Sequence, residues 1–147
     1  MYQRILVPVD GSELSDRAMA DSIALARPLG ATVVGFVAEP LLAPVSGPPQ
    51  QSLIEDQIKG HDAMTEAHAR SVLQRFEAQA RAAGVGFEGH YDQVPNVDRA
   101  IVTAAESHGC DLIVMVTHGR GAFGEFLFGS HTKAVLAGSK LPLLVLR

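Results

Sequence analysis

Short apolar segments and longer segments of helical periodicity alternate along the chain. Four continuous apolar runs, rich in β-branched residues, have the length and composition of buried strands, and one further segment alternates loosely as a half-buried strand does. The runs cover residues 5–9, 31–38, 111–116 and 141–146, and the alternating segment covers 85–91. Apolar residues between these segments recur about every 3.6 positions, the period of a helix. The pattern predicts strands and helices in the order βαβαβαβαβ.

Four predicted helices fill the intervals between the strands. They cover residues 13 to about 28, 53–83, 97–107 and 130–137. Ser12 is the expected N-cap of the first helix, which ends near Pro28 and Gly30, and Gly60 is a point at which the second helix can break. Because residues 40–49 carry four prolines, they are predicted to be an exposed, mobile loop without a regular element.

This alternation predicts an α/β fold. Parallel β-α-β units with right-handed crossovers give an open twisted sheet with helices on both faces. We expect a Rossmann-like, five-stranded parallel sheet with the strand order 3-2-1-4-5. Ligands bind such sheets at the carboxyl ends of the strands where the order reverses, which here is between strands one and four. The loops 8–12 and 117–121 are expected to meet at that crevice.

The composition suits one domain over residues 1–147. With 47% hydrophobic residues the chain can bury a core without disulfides, and its single cysteine, Cys110, is expected to be a packed thiol. A formal net charge of -4, without a Lys/Arg cluster, argues against nucleic-acid binding. No apolar stretch approaches the ~18 residues of a membrane span, and the N-terminus does not resemble a signal peptide. We therefore expect a cytoplasmic protein.

Glycines follow the fourth predicted strand in a pattern typical of phosphate sites. Gly119 comes shortly after the strand, and Gly129 and Ser130 stand where the fourth helix begins. Glycine lets backbone N–H groups approach an anion, and the start of a helix offers unpaired amides. The sequence therefore predicts that a phosphate group binds at the carboxyl end of the fourth strand.

Together with the strand pattern, these residues resemble the universal stress protein family, whose nucleotide-binding members carry G-x2-G-x9-G-[ST]. Gly119, Gly129 and Ser130 match the last three positions of that motif, and Asp10 ends the first strand. The likeness spans nearly the whole chain. It implies a homodimer formed by antiparallel pairing of the last strand, from Leu141 to Leu146, and ATP held together with Mg²⁺.

The resemblance also implies which residues contact the nucleotide. Asp10 would contact the ribose, and Val37 and the Pro8-Val9 segment would contact the adenine. The residues implied for the phosphates are Gly119, Gly129, Ser130 and the amides of His131 and Thr132.

Three positions carry alternatives that the sequence leaves open. Val116 stands where the family motif has its first glycine. A valine turned toward the core would preserve the pocket, whereas one facing the nucleotide would intrude on it. Asp10 is either a nucleotide ligand or part of a helix cap. Arg120 either pairs with a phosphate or is an exposed loop side chain.

Other kinds of site fit the chain less well. Residues 119–124 spell G-x-G-x-x-G, but the acidic residue that a dinucleotide site needs about 20 residues on is missing, and no Walker A loop is present. A receiver domain would need an acidic cluster beside Asp10, and Ser130 lacks a nucleophile elbow. The six histidines show no metal spacing, so His61 and His68, which share a helix face, are expected to be solvated surface residues.

We therefore expect a universal stress protein that binds ATP with Mg²⁺ between strands one and four and acts as a nucleotide-dependent switch. No general base or water-positioning residue stands out in the phosphate loops, so hydrolysis is expected to be slow or absent. The alternative, which Val116 favours, is a nucleotide-free dimeric scaffold that acts in stress through protein partners. A true ATP-using enzyme fits least.

Overall fold

Five parallel strands form one open sheet in the computed structural model, which describes residues 1–41, 51–117 and 130–147. The strands are β1 (Arg4–Pro8), β2 (Thr32–Pro40), β3 (Phe87–Val94), β4 (Leu112–Val116) and β5 (Leu143–Leu146). They lie in the order β3-β2-β1-β4-β5, and every neighbouring pair is parallel. The fold class and the strand order predicted from the sequence are confirmed.

Helices cover both faces of this sheet. They are α1 (Glu13–Leu29), α2 (Gln51–Ala82), α3 (Val97–Ser107) and α4 (Ser130–Gly138). Val7 lies in a core with Met19 and Phe76, which we call the α1/α2 core, and Leu6 lies with Ile101 in the α3/α4 core on the opposite face. Successive strand residues thus bury themselves on alternate faces, as continuous apolar runs predict. None of the described helices combines the length and hydropathy needed to cross a membrane.

The second helix and the loop before it differ from the sequence prediction. Pro40, which the prediction placed in the loop, is the last residue of β2 and pairs with Val94. Gly60 does not break α2, which is continuous over 32 residues. A glycine inside a helix costs only about 1 kcal/mol, too little to end a helix whose later turns are packed through Ala69, Val72 and Phe76. The remainder of the predicted loop, at 42–50, lies outside the described residues.

Two strands also begin two residues later than predicted. β3 begins at Phe87 because the N–H of Val85 still bonds the carbonyl of Ala80 at the end of α2, and the strand continues to Val94. β5 begins at Leu143.

Cys110 is buried in the α3/α4 core, as expected of a packed thiol, and this burial raises its pKa to about 11. It is therefore protonated and unreactive at neutral pH.

Candidate functional site

A network of hydrogen bonds holds the turn between β1 and α1, which we call the Asp10 turn (residues 9–12). The Oδ1 atom of Asp10 accepts from the N–H of Ser12 at 2.9 Å and from the hydroxyl of Ser15 at 2.7 Å. The same hydroxyl accepts from the N–H groups of Asp10 and Gly11. Ser12 is the N-cap of α1, as predicted, and accepts from the N–H of Ser15. The start of α1 and the orientation of Asp10 are therefore set by the same few residues.

One oxygen of the Asp10 carboxylate has no hydrogen-bond donor among the described residues. The N–H of Ser12 and the hydroxyl of Ser15 both donate to Oδ1, and no described donor bonds Oδ2. Partial burial raises the pKa of Asp10, but the hydrogen bonds from Ser12 and Ser15 outweigh that effect, and the net pKa lies below its usual value. The side chain is therefore an oriented, ionised acceptor at neutral pH. Capping and ligand binding, the two roles open for Asp10, are compatible in this geometry.

The predicted adenine contacts lie at the carboxyl ends of β1 and β2. Pro8 ends β1, and Val9 follows it with its N–H bonded to the carbonyl of Phe36 at 2.9 Å. Val37 is fully buried, with its side chain in the α1/α2 core, and Val9 is buried as well. Of these three residues, only Pro8 is partly exposed beside the Asp10 turn.

The side chain of Val116 is turned toward the protein interior. Val116 is the last residue of β4 and pairs with Leu146. Its half-buried side chain packs against the α1/α2 core. Of the two orientations that the sequence leaves open, this is the one that preserves space at the crevice.

The first turn of α4 lies at the carboxyl edge of the sheet. Ser130 is exposed, whereas Thr132 is buried with an exposed fraction of 3%. The Nδ1 atom of His131 lies 2.5 Å from the Oδ1 atom of Asp98 on α3. Because the residues before Ser130 lie outside the described ranges, the phosphate role of the His131 and Thr132 amides stays a prediction. The remaining predicted phosphate residues, Gly119, Arg120 and Gly129, lie outside the described residues.

Two residues of the site were missed in the sequence analysis. Ser15 could have been found, since a second serine in the first turn of a helix after Asp-x-Ser is a local pattern. His68 could not, because it reaches the Asp10 turn from α2: its Nε2 atom lies 2.9 Å from the carbonyl oxygen of Asp10, 58 positions away in sequence. His68 is an exposed surface residue, as predicted, with 51% of its side chain exposed, but it also contacts the Asp10 turn.

A separate cleft of about 470 Å³ lies between β3 and α3, on the far side of β2 from the crevice. Stacked rings of His90 and His108 line one part of it, with ring centroids 3.6 Å apart. Burial and the neighbouring His90 lower the pKa of His108. Within residues 1–41, 51–117 and 130–147, no group of three or more His, Cys, Asp or Glu side chains could hold a metal ion.

Comparison with known proteins gives one consistent result. The model of the universal stress protein family matches residues 1–147. A universal stress protein of Thermus aquaticus is 30% identical over 152 residues, covering 100% of both chains. A solved structure from this family in Burkholderia pseudomallei has a TM-score of 0.72 and 25% identity, covering 99% of this chain and 96% of that one. A universal stress protein solved in complex with cAMP has a TM-score of 0.71 and 25% identity, covering 99% and 97% respectively.

Proposed function

Because the chain belongs to the universal stress protein family, we propose that it binds an adenine nucleotide, ATP with Mg²⁺, in the crevice between β1 and β4, and that residues 1–147 act as one domain. One observation carries the proposal. The Asp10 carboxylate is ionised and held in place, and its Oδ2 atom has no described partner, as a hydrogen-bond acceptor for a ribose hydroxyl requires. The cAMP complex of a similar protein supports an adenine nucleotide as the ligand class.

The other residues take roles that fit their positions. The adenine lies at the carboxyl ends of β1 and β2, beside Pro8, Val9 and Val37. The phosphates bind the first turn of α4, where the Ser130 hydroxyl and the amides of His131 and Thr132 at the start of the helix compensate negative charge. Gly119, Arg120 and Gly129 complete this phosphate site, and Val116 stays turned away from it.

The metal ion in this proposal depends on the nucleotide. No cluster of metal-ligating side chains occurs in the described ranges, so Mg²⁺ would take most of its ligands from phosphate oxygens and water, as it commonly does. The ion would neutralise phosphate charge at the crevice. The protein then acts as a nucleotide-dependent switch with slow or no hydrolysis.

Direct detection of nucleotide tests the proposal. We expect the purified protein to release an adenine nucleotide on denaturation, identified by mass spectrometry, and to gain thermal stability with millimolar ATP and Mg²⁺ according to RT ln(1 + [L]/Kd). The Asp10→Asn variant keeps an acceptor for Ser12 and Ser15 but replaces Oδ2 by a donor. Loss of one hydrogen bond to a charged group should raise the Kd for ATP about tenfold or more.

Asp92→Asn is the matched control, because Asp92 is an exposed aspartate at the far edge of the sheet. It should bind ATP as the wild type does. If the wild type neither releases nucleotide nor shows a thermal shift with ATP, the proposal is contradicted and the nucleotide-free scaffold is favoured. Equal Kd values for Asp10→Asn and Asp92→Asn would remove Asp10 from the site.

The edge strand β5 is the proposed homodimer contact, paired antiparallel with its copy. Its four residues, Leu143–Leu146, are half-buried and pair only with β4 among the described strands. The carbonyls of Pro142 and Leu146 accept from β4, so strand alternation places the N–H of Val145 on the outer edge.

Val145→Pro removes that outward donor from each copy and should weaken self-association about tenfold, measured by light scattering over a dilution series. Val145→Thr, which keeps the donor, should remain associated as the wild type does. An unchanged dissociation constant for Val145→Pro would place the dimer contact elsewhere.

A further inference from the structure

His68 contacts the Asp10 turn from a different layer of the fold. Its Nε2 atom lies 2.9 Å from the carbonyl oxygen of Asp10. Since a carbonyl can only accept, the ring nitrogen must carry the hydrogen and donate it. The ring also lies against Gly11, where an added Cβ would be 2.9 Å from its Cε1 atom. His68 therefore holds the turn by a hydrogen bond and by packing at the same time.

The neighbouring part of α2 forms hydrogen bonds with the carboxyl end of β3. Thr65 accepts a hydrogen bond from the hydroxyl of Tyr91 at 3.1 Å, and Asp62 accepts one from the side-chain amide of Gln93 at 2.9 Å. These contacts and that of His68 come from two successive turns of the same helix. A shift of α2 along its axis would therefore move the Asp10 turn relative to the sheet.

We infer that His68 is a positioning residue of the nucleotide site, which fixes the backbone of the Asp10 turn and couples its geometry to α2. The inference rests on the proposed function for its ligand. His68 makes no contact with the nucleotide. His68 holds the backbone carbonyl of Asp10, while Ser12 and Ser15 hold its carboxylate, so the three residues together fix the position from which the carboxylate meets a ligand.

Because of this coupling, the position of α2 affects the affinity of the site for nucleotide. Any state of α2 in which the hydrogen bond from His68 is broken leaves the Asp10 turn held by Ser12 and Ser15 alone, and the nucleotide must then order the turn as it binds. By reciprocity, bound nucleotide stabilises the position of α2 in which His68 reaches the turn. The position of α2 therefore depends on whether nucleotide is bound in the crevice.

Two substitutions at His68 separate the hydrogen bond from the packing. His68→Phe keeps a ring against Gly11 but has no donor, whereas His68→Gln places an amide donor where Nε2 stands. His61→Phe is the matched control, because His61 lies on the same helix and its Nε2 atom has no hydrogen-bond partner. Two quantities are measured for each variant: amide exchange of Asp10 and Gly11 by NMR without nucleotide, and the Kd for ATP with Mg²⁺ by calorimetry.

We expect His68→Phe to speed exchange of these two amides about fivefold and to raise the Kd for ATP by a similar factor, as loss of one hydrogen bond predicts. His68→Gln should restore both, and His61→Phe should change neither. Wild-type exchange rates in His68→Phe would overturn the inference, as would faster exchange with an unchanged Kd. A wild-type protein that binds no nucleotide overturns the proposed function, yet the exchange rates still decide whether His68 fixes the turn.

Discussion

Replacing Phe76 with alanine should lower the free energy of unfolding by about 3–5 kcal/mol, the usual cost of removing a buried phenylalanine side chain. Phe76 is fully buried where α2 crosses the sheet, and its ring lies 4.9 Å from that of Phe87 on β3. The space for the two rings comes from Gly35 on β2, where a Cβ would lie 2.8 Å from Phe87 and 2.9 Å from Phe76. Because β2 has no side chain at this position to fill the cavity, the site cannot collapse easily.

Urea denaturation of the wild type and Phe76→Ala measures this loss. Phe76→Leu retains most of the apolar volume and should lose less than half as much. Met64→Ala is the control on the same helix, because Met64 is 75% exposed and its truncation should change stability by no more than about 0.5 kcal/mol. If Phe76→Ala lost no more stability than Met64→Ala, α2 would not be anchored by this ring.

Replacing Gly11 with alanine should destabilise the protein and weaken nucleotide binding together. Gly11 has a φ of +86°, a region that costs an alanine about 1–2 kcal/mol. The added methyl would also lie 2.9 Å from the ring of His68 and 3.0 Å from Val72. Overpacking of this kind costs about 1–3 kcal/mol. Since the His68 ring is the more mobile neighbour, we expect it to be displaced and its hydrogen bond to Asp10 to be lost.

Gly30→Ala separates these two causes. Gly30 also has a positive φ, +63°, but apart from its neighbours in the chain no atom of the described residues lies within 4 Å of the position of its Cβ. It should therefore show only the backbone cost and bind ATP as the wild type does. Thermal or urea unfolding gives the stability of both variants, and calorimetry gives the Kd. A Gly11→Ala variant that matched Gly30→Ala in both quantities would contradict the close packing of His68 on the turn.

Much of the candidate site could be predicted from the sequence because its features are local. Asp10 follows an apolar run, Ser12 precedes a helical segment, and Ser130 begins another, so each position follows from where an element starts or ends. Continuous apolar runs require burial on both faces, and this led to the parallel sheet. Boundaries were less certain, since Pro40 and Val94 extend their strands by pairing with each other.

Other features have no local cause. Whether Val116 turns inward depends on the space that the α1/α2 core leaves beside β4. The pairing of His131 with Asp98 depends on the relative positions of two helices whose residues are 33 positions apart. In each case the sequence supplies a side chain capable of the contact, but the packing of distant elements determines its partner.

The sequence by itself determined the alternation of strands and helices, the family, and the residues at the strand ends, because hydrophobic periodicity and turn chemistry act over a few positions. Only the tertiary structure decided that His68 holds the Asp10 turn and that the described hydrogen bonds of the Asp10 carboxylate all go to one oxygen. These contacts depend on the axial position of α2 on the sheet. That position is set by the packing of side chains such as Phe76, which no local pattern encodes.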